Sequence, residues 1–272
     1  MAIKSPVENH YHREGLYNII LQQLREAGID NVTRKDLTGV DEFHVRGAAV
    51  SLELAKEAGF DSNSKVLDIG CGLGGPARMI ADEFKCHVTG IDITEEYIET
   101  ARQLTSLVKL EEKINFLQAD ALHLPFADAG FDFVWTQHVQ MNIQDKATLY
   151  AEATRVLKPG GKFIYYDILS VNNVPIIYPV PWADNDSISF LITTDELNRL
   201  LLNNGLRKIS TKDQTPAAIQ FFKGMFARIE SGEDPNISLR LLIGTGTKEK
   251  FRNLYNNIVE GKLELQSGIY QK

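Results

Sequence analysis

Cysteine is scarce in this chain. Two residues, Cys71 and Cys86, occur among 272, and their spacing fits neither a disulfide framework nor a zinc-ligand set. A reducing, cytoplasmic setting and a metal-independent chemistry are the expectations. Long apolar runs are missing too. No stretch reaches membrane-spanning length, and Met1 to Asn9 lacks the apolar centre of a secretory signal, so no membrane insertion is expected. Basic clusters are equally wanting: 29 Lys and Arg stand against 36 Asp and Glu, for a net charge of −7, and no run of positive residues offers a phosphate backbone a footing. A nucleic-acid partner is therefore not expected. Internal repeats and low-complexity tracts are lacking as well, which sets aside solenoids and linkers. What remains is a chain with 43% hydrophobic and 24% charged residues, long enough to bury a large core as one α/β domain with additions.

Against this background one stretch stands out, Lys65-Val66-Leu67-Asp68-Ile69-Gly70-Cys71-Gly72-Leu73-Gly74-Gly75-Pro76. Val66 to Ile69 suits a buried parallel strand. Four glycines within the next six residues let the backbone bend sharply and leave no Cβ in the way of a ligand. Pro76 fits the first turn of a helix. Strand, glycine elbow and helix together are how an α/β sheet presents a nucleotide-like ligand at the carboxyl ends of its strands. Gly70, Gly72 and Gly75 also satisfy the G-x-G-x-x-G pattern of dinucleotide enzymes, with Asp92 about twenty residues on. The pattern alone does not choose, but Asp68 bears on it: a carboxylate at this strand end repels a pyrophosphate and attracts a cationic ligand.

Upstream, the spacing predicts amphipathic helices over Tyr11 to Ala27 and Val45 to Ala58, each stopped by glycine. The charged loop between them, Asp41 to Gly47, holds Phe43 and His44; it reads as the lid of a cleft or as a helix cap with a surface histidine. Downstream, strands are predicted at Cys86 to Ile91, Ile114 to Gln118, Phe131 to Trp135 and Phe163 to Leu169, with helices from Glu95 to Val108 and Asp145 to Leu157. Asp92 at the second strand end fits a ribose diol, or else caps the following helix. His138, just past the fourth strand, has a reference pKa of about 6.5 and suits a general base, or is an ordinary polar residue at a helix start. Lys158 to Gly161 reads as a tight turn. Val174 to Trp182 is a proline-stiffened apolar loop, able to cover an acceptor pocket with Tyr178 and Trp182 or to pack on a neighbouring subunit. Thr193 to Glu196 is a capping box opening a helix, Leu206 to Thr211 a sixth strand, and Lys262 to Gln271 a last strand. About 216–260 reads as a helical insertion whose Phe221, Phe222, Met225 and Ile229 form core or line a pocket.

The glycine elbow, Ala119-Asp120-Ala121 and Arg155-Val-Leu-Lys-Pro-Gly-Gly161 resemble motifs of the class I S-adenosylmethionine-dependent methyltransferases. That resemblance implies an α/β Rossmann-like sheet of seven strands in the order 3-2-1-4-5-7-6, the last strand antiparallel, with an N-terminal helical lid over 1–59 and the methyltransferase domain over 60–272. It implies S-adenosyl-L-methionine as cofactor, held by Asp68, Gly70, Gly72, Gly74, Asp92, Ile93, Asp120, Ala121 and Gln137, with Asp120 meeting the adenine amino group and the Ala121 N–H a ring nitrogen. Glu42-Phe43-His44-Val45, Trp135-Thr136-Gln137 with Asp145-Lys146, and Glu260-Gly261-Lys262-Leu263 are similar to the sarcosine/dimethylglycine N-methyltransferase group, which favours a small amine or amino-acid acceptor. His138 and Asn142 depart from that group, which has an acidic residue and a histidine there, and weigh against the amine. The expected function is methyl transfer to nitrogen, carbon or oxygen of a small molecule by a monomer or homodimer. His138 and His44 are the candidate bases, and His44, Asn142, Tyr178 and Trp182 the candidate acceptor contacts. The rival readings are an NAD(P)-dependent oxidoreductase and a catalytically inactive methyltransferase-like binding or regulatory protein.

Overall fold

The computed structural model describes residues 5–232 and 239–272. At its centre is a sheet whose strands lie in the order β3-β2-β1-β4-β5-β7-β6. They are β1 (Lys65–Ile69), β2 (His87–Asp92), β3 (Ile114–Gln118), β4 (Phe131–Gln137), β5 (Leu157–Ser170), β6 (Arg207–Asp213) and β7 (Leu263–Gln271). The apolar run Val66 to Ile69 is buried because β1 is flanked on both sides, Val66 pairing in parallel with Val88 and with Phe133. β7 runs antiparallel between β5 and β6, with Ile269 opposite Ile164 and Thr211 opposite Gly268.

The helices are α1 (Pro6–Tyr11), α2 (Leu16–Glu26), α3 (Thr38–Asp41), α4 (Ala48–Ala58), α5 (Gly75–Phe84), α6 (Glu95–Leu107), α7 (Lys146–Val156), α8 (Thr194–Asn203), α9 (Thr215–Glu230), α10 (Arg240–Ile243) and α11 (Thr247–Val259). Val66, Ile80, Ile98, Phe133, Trp135 and Ile164 belong to the core on one side of the sheet, and Leu67, Ile69, Val134, Leu149, Phe163 and Leu201 to the core on the other. A third core joins Leu16, Ile20 and Leu24 of α2 to Val40, to Tyr97 and Leu104 of α6, and to Leu242 of α10. The N-terminal helices and the segment before β7 thus share apolar contacts.

Three elements differ from the sequence-based expectation, each for a local reason. The single helix over Tyr11 to Ala27 is two helices, because the chain leaves helical geometry at His12 and Gly15 adopts a left-handed conformation (φ 67°) as the cap of α2. Arg13, in the break, donates to the carbonyls of His10, His12 and Ile243. The helix expected from Val45 starts only at Ala48, since Arg46 (φ 72°) and Gly47 (φ 55°) are both left-handed. The Lys-Pro-Gly-Gly turn lies inside the span of β5, as a register shift between the Phe131–Leu157 and Phe133–Lys162 pairs. A Cβ on Gly161 would stand 2.9 Å from the Asp132 carbonyl oxygen, so only glycine lets the two strands stay paired there.

Candidate functional site

The carboxyl ends of β1, β2, β3 and β4 open on one cavity of about 1410 Å³, roofed by residues from α1, from 35–48, from the loop ending at Trp182 and from α9 to α11. Asp68, Gly70, Gly72, Asp92, Ile93, Asp120, Ala121, Gln137, His138, His44, Asn142 and Trp182 all line it. Gly74 and Tyr178 do not. Gly74 caps α5 with φ 80°, and a Cβ there would stand 2.4 Å from the Phe116 ring, so its smallness serves packing. Tyr178 packs against the core beside the cis Tyr178–Pro179 bond.

At the end of β1 the chain turns away with Gly70 (φ 71°), whose N–H and that of Cys71 both donate to the Ile91 carbonyl at 2.8 and 2.9 Å. A Cβ on Gly70 would strike Val139 at 2.5 Å, whereas one on Gly72 would meet nothing within 4 Å and would occupy the cavity. The Gly72 N–H donates to Asp92 Oδ2 (3.1 Å), and the Thr94 N–H to Asp92 Oδ1 (2.9 Å). Asp92 is thereby held rigidly, and each of its oxygens keeps a lone pair for a ligand. The Thr94 bond is a local turn ahead of α6, whose N-cap is Thr94 itself and has no side-chain cap bond.

Asp68 is different. Its side chain is buried, its Oδ2 atom has no hydrogen-bond partner, and burial together with the nearby Asp92 and Glu42 carboxylates pushes its pKa well above the usual range. Asp120 is exposed, with Oδ1 accepting from the Leu122 N–H at 2.9 Å. Gln137 is fixed from two sides: its Oε1 accepts from Trp135 Nε1 (3.0 Å), and its amide lies 3.2 Å from Ser51 Oγ.

The two histidines form a pair, His44 buried and His138 half-buried, with ring centres 6.1 Å apart. His44 is not a surface residue. Its Nε2 lies 3.1 Å from the Gly47 carbonyl oxygen, which can only accept, so the proton sits on Nε2; Ser51 Oγ is 3.0 Å away. Burial lowers its pKa to about 4. His138 occupies a left-handed turn (φ 51°) pinned by its own N–H to the Tyr166 carbonyl (2.8 Å), while the next N–H, of Val139, donates to Asp167 Oδ1 (3.1 Å). Its Nε2 is shielded from solvent and without a hydrogen-bond partner, and burial, then His44, take its pKa well below the usual value. Both imidazoles are therefore neutral at physiological pH.

Asn142 is a clamp. Its Oδ1 accepts from the Tyr11 hydroxyl (2.8 Å), and its Nδ2 donates to the carbonyls of Trp182 (3.1 Å) and Ile188 (2.8 Å), so both amide protons are committed to the walls of the cavity. Glu42 is a lining residue to which the sequence assigned no role. It is buried, its pKa is raised to about 8 by burial and then by Asp41, and its Oε2 makes no hydrogen bond. Asp41 pairs with the fully buried Arg78 of α5, which ties the loop before His44 to the glycine elbow. The run Asp41 to Gly47 reads as a charged loop in sequence, and nothing local in it signals burial.

Residues 67–165 match the methyltransferase domain family. This span contains the elbow, the three acidic strand ends and the turn at His138. Those residues carry a methyltransferase domain, similar to that of class I S-adenosylmethionine-dependent methyltransferases. It is 32% identical over 156 residues to the methyltransferase GfsG of Streptomyces halstedii, covering 56% of each chain. To the sarcosine/dimethylglycine N-methyltransferase of Halorhodospira halochloris it is 30% identical over 162 residues, 60% of this chain and 57% of that one. The chain thus spans little more than half the length of those curated relatives. Its fold is similar to that of Haemonchus contortus phosphoethanolamine N-methyltransferase 2, with a TM-score of 0.77 at 19% identity over 99% of this chain and 61% of the other. Among the described residues no group of His, Cys, Asp and Glu could hold a metal ion, and no helix is long and apolar enough to cross a membrane.

Proposed function

We propose that this methyltransferase binds S-adenosylmethionine at the elbow and transfers its methyl group to a small-molecule acceptor in the same cavity. The unpartnered Asp68 Oδ2 carries the reading. A buried carboxylate beside Asp92 and Glu42 is starved of positive charge, and a ligand with a sulfonium and an ammonium supplies it, whereas a pyrophosphate would add to the repulsion. The open space above Gly72 gives such a ligand room against the backbone.

S-adenosylmethionine brings a methyl carbon already activated by its sulfonium. The protein's share is to orient the two reactants and keep water out, and alignment is worth on the order of 7–11 kcal/mol in favourable cases. In this reading Asp68 holds the ammonium end and Asp92 the ribose diol. Asp120 and the Ala121 N–H hold the base, Ile93 packs against it, and Gly70 and Gly72 keep the floor clear. Gln137, locked by Trp135 and Ser51, sets the edge between cofactor and acceptor. His138, which lines the cavity and is neutral with an unpartnered Nε2, is the residue proposed to take a proton where the chemistry releases one. Its lowered pKa keeps the lone pair available but makes it a weak base, suited to an acceptor that arrives neutral.

Isothermal calorimetry with S-adenosylhomocysteine tests the cofactor assignment, with NADH as control. One site per chain for the first and no heat from the second is the expected result. Binding of NADH alone would transfer the elbow to the oxidoreductase reading. Cofactor binding without turnover on any acceptor, in a screen that follows loss of the methyl donor, would favour the inactive module.

A further inference from the structure

The cavity is larger than a single ligand needs. At about 1410 Å³ it exceeds the roughly 300–1,000 Å³ of ordinary ligand pockets, and its two ends differ in chemistry. Its lining carboxylates stand on the strand ends and on the segments before α4 and α7, at Asp36, Asp41, Glu42, Asp68, Asp92, Asp120 and Asp145. Among the described residues, the wall built by α9 and α11 has none.

On α9, Phe222, Met225, Phe226 and Ile229 follow one another at helical spacing along one face, and Phe251 and Leu254 of α11 meet them. Phe222 is the buried hub: its ring centre lies 6.1 Å from that of Phe226, 6.3 Å from Phe251 and 5.7 Å from Phe221. Phe221, Met225, Phe226 and Phe251 are only partly buried, and all line the cavity, so the apolar surface they leave uncovered borders that space. The charged lining residues of these two helices are Arg228 and Lys248, both exposed and both cationic.

We infer that the methyl acceptor has an extended apolar body lying against the α9/α11 aromatic wall and an anionic remote end facing Arg228 and Lys248. This rests on the methyltransferase reading and narrows it. A free amino acid or small amine would leave the aromatic faces against water and would bring an ammonium towards two cations. An apolar body covers those faces and removes them from water, and an anionic terminus meets charge of opposite sign.

The test uses 1-anilinonaphthalene-8-sulfonate, an aromatic body with one sulfonate, titrated by fluorescence into the full chain saturated with S-adenosylhomocysteine. A single saturable site is expected, weakened tenfold or more by Phe226→Gln and several-fold by Lys248→Glu, with S-adenosylhomocysteine affinity unchanged in both variants. Should Phe226→Gln fail to fold, the exposed Lys248→Glu still reads the anionic end. Non-saturable binding, indifference to both substitutions, or displacement of the probe by millimolar sarcosine would overturn the inference. Failure of S-adenosylhomocysteine itself to bind would instead remove the cofactor reading, a separate measurement on the same protein.

Discussion

Oε2 of Glu42 lies 3.3 Å from Nε2 of His44, inside the protein, and both groups are uncharged near neutral pH. They reach the cavity from the segment between α3 and α4, where Glu42 lies near Asp68 and the His44 ring centre is 6.1 Å from that of His138.

The pair has a measurable signature in stability. Glu42 is raised from 4.5 to about 8 in the folded state, so between those values the native protein holds a proton that the unfolded chain has lost, and stability falls as pH rises. His44 is lowered from 6.5 to about 4, so between 4 and 6.5 the unfolded chain binds more protons and stability rises with pH. The two oppose each other from about 4.5 to 6.5, and from 6.5 to 8 only the Glu42 effect remains of the pair. Urea unfolding of the ligand-free protein between pH 6.5 and 8 should therefore lose stability with rising pH, by up to about 1.4 kcal/mol per pH unit for one full proton. Asp167, raised to about 7, and Asp68, raised well above the usual range, act in the same direction. Glu42→Gln should reduce the slope, and an unaltered slope in that variant would assign it to those other carboxyls.

Gly72 and Gly74 should separate binding from folding. Gly72→Ala places a methyl in open cavity at φ 53°, at a conformational cost of about 1 kcal/mol, and should cut S-adenosylhomocysteine affinity by tenfold or more in calorimetry. Gly74→Ala drives a methyl into Phe116 at φ 80° and should cost roughly 2–4 kcal/mol of stability in denaturant titration. A reversed pattern would mean that the ligand lies over Gly74.

Asp92→Ala should weaken S-adenosylhomocysteine binding at least tenfold, because it removes the proposed ribose acceptor and releases the Gly72 and Thr94 amides. Calorimetry that returned the parental affinity would show that the diol has another partner.

His138→Ala should lower kcat by about 10²-fold on an identified acceptor while leaving S-adenosylhomocysteine affinity close to parental. Full turnover in that variant would reduce His138 to a packing residue.

Asn142→Ala should destabilise the chain by about 2 kcal/mol, since it strands the Trp182 and Ile188 carbonyls and the Tyr11 hydroxyl. An unchanged denaturation midpoint would show that water replaces the amide without loss.

Much of this architecture could be read in the chain itself, because short-range patterns encode it. Val66 to Ile69 followed by Gly70, Gly72 and Gly75 dictates a buried strand and a bare bend whatever the remainder of the molecule does, since sterics at Cβ and apolar burial act locally. Acidic residues at the ends of successive strands must lie on one edge of the sheet once the strands run parallel, and so Asp68, Asp92 and Asp120 could be assigned to a common edge. Other features needed the third dimension. Asn142 is a candidate acceptor contact by sequence, yet its amide is spent on Tyr11, Trp182 and Ile188, partners up to 131 residues away. Gly74 and Gly72 are indistinguishable in a motif, and only the position of the Phe116 ring makes one a packing glycine and the other a floor. Protonation states are the furthest from sequence, because desolvation depends on everything packed around a group. Burial supplied by distant helices and strands is what turns Glu42 and His44 from charges on a loop into neutral groups inside a cavity.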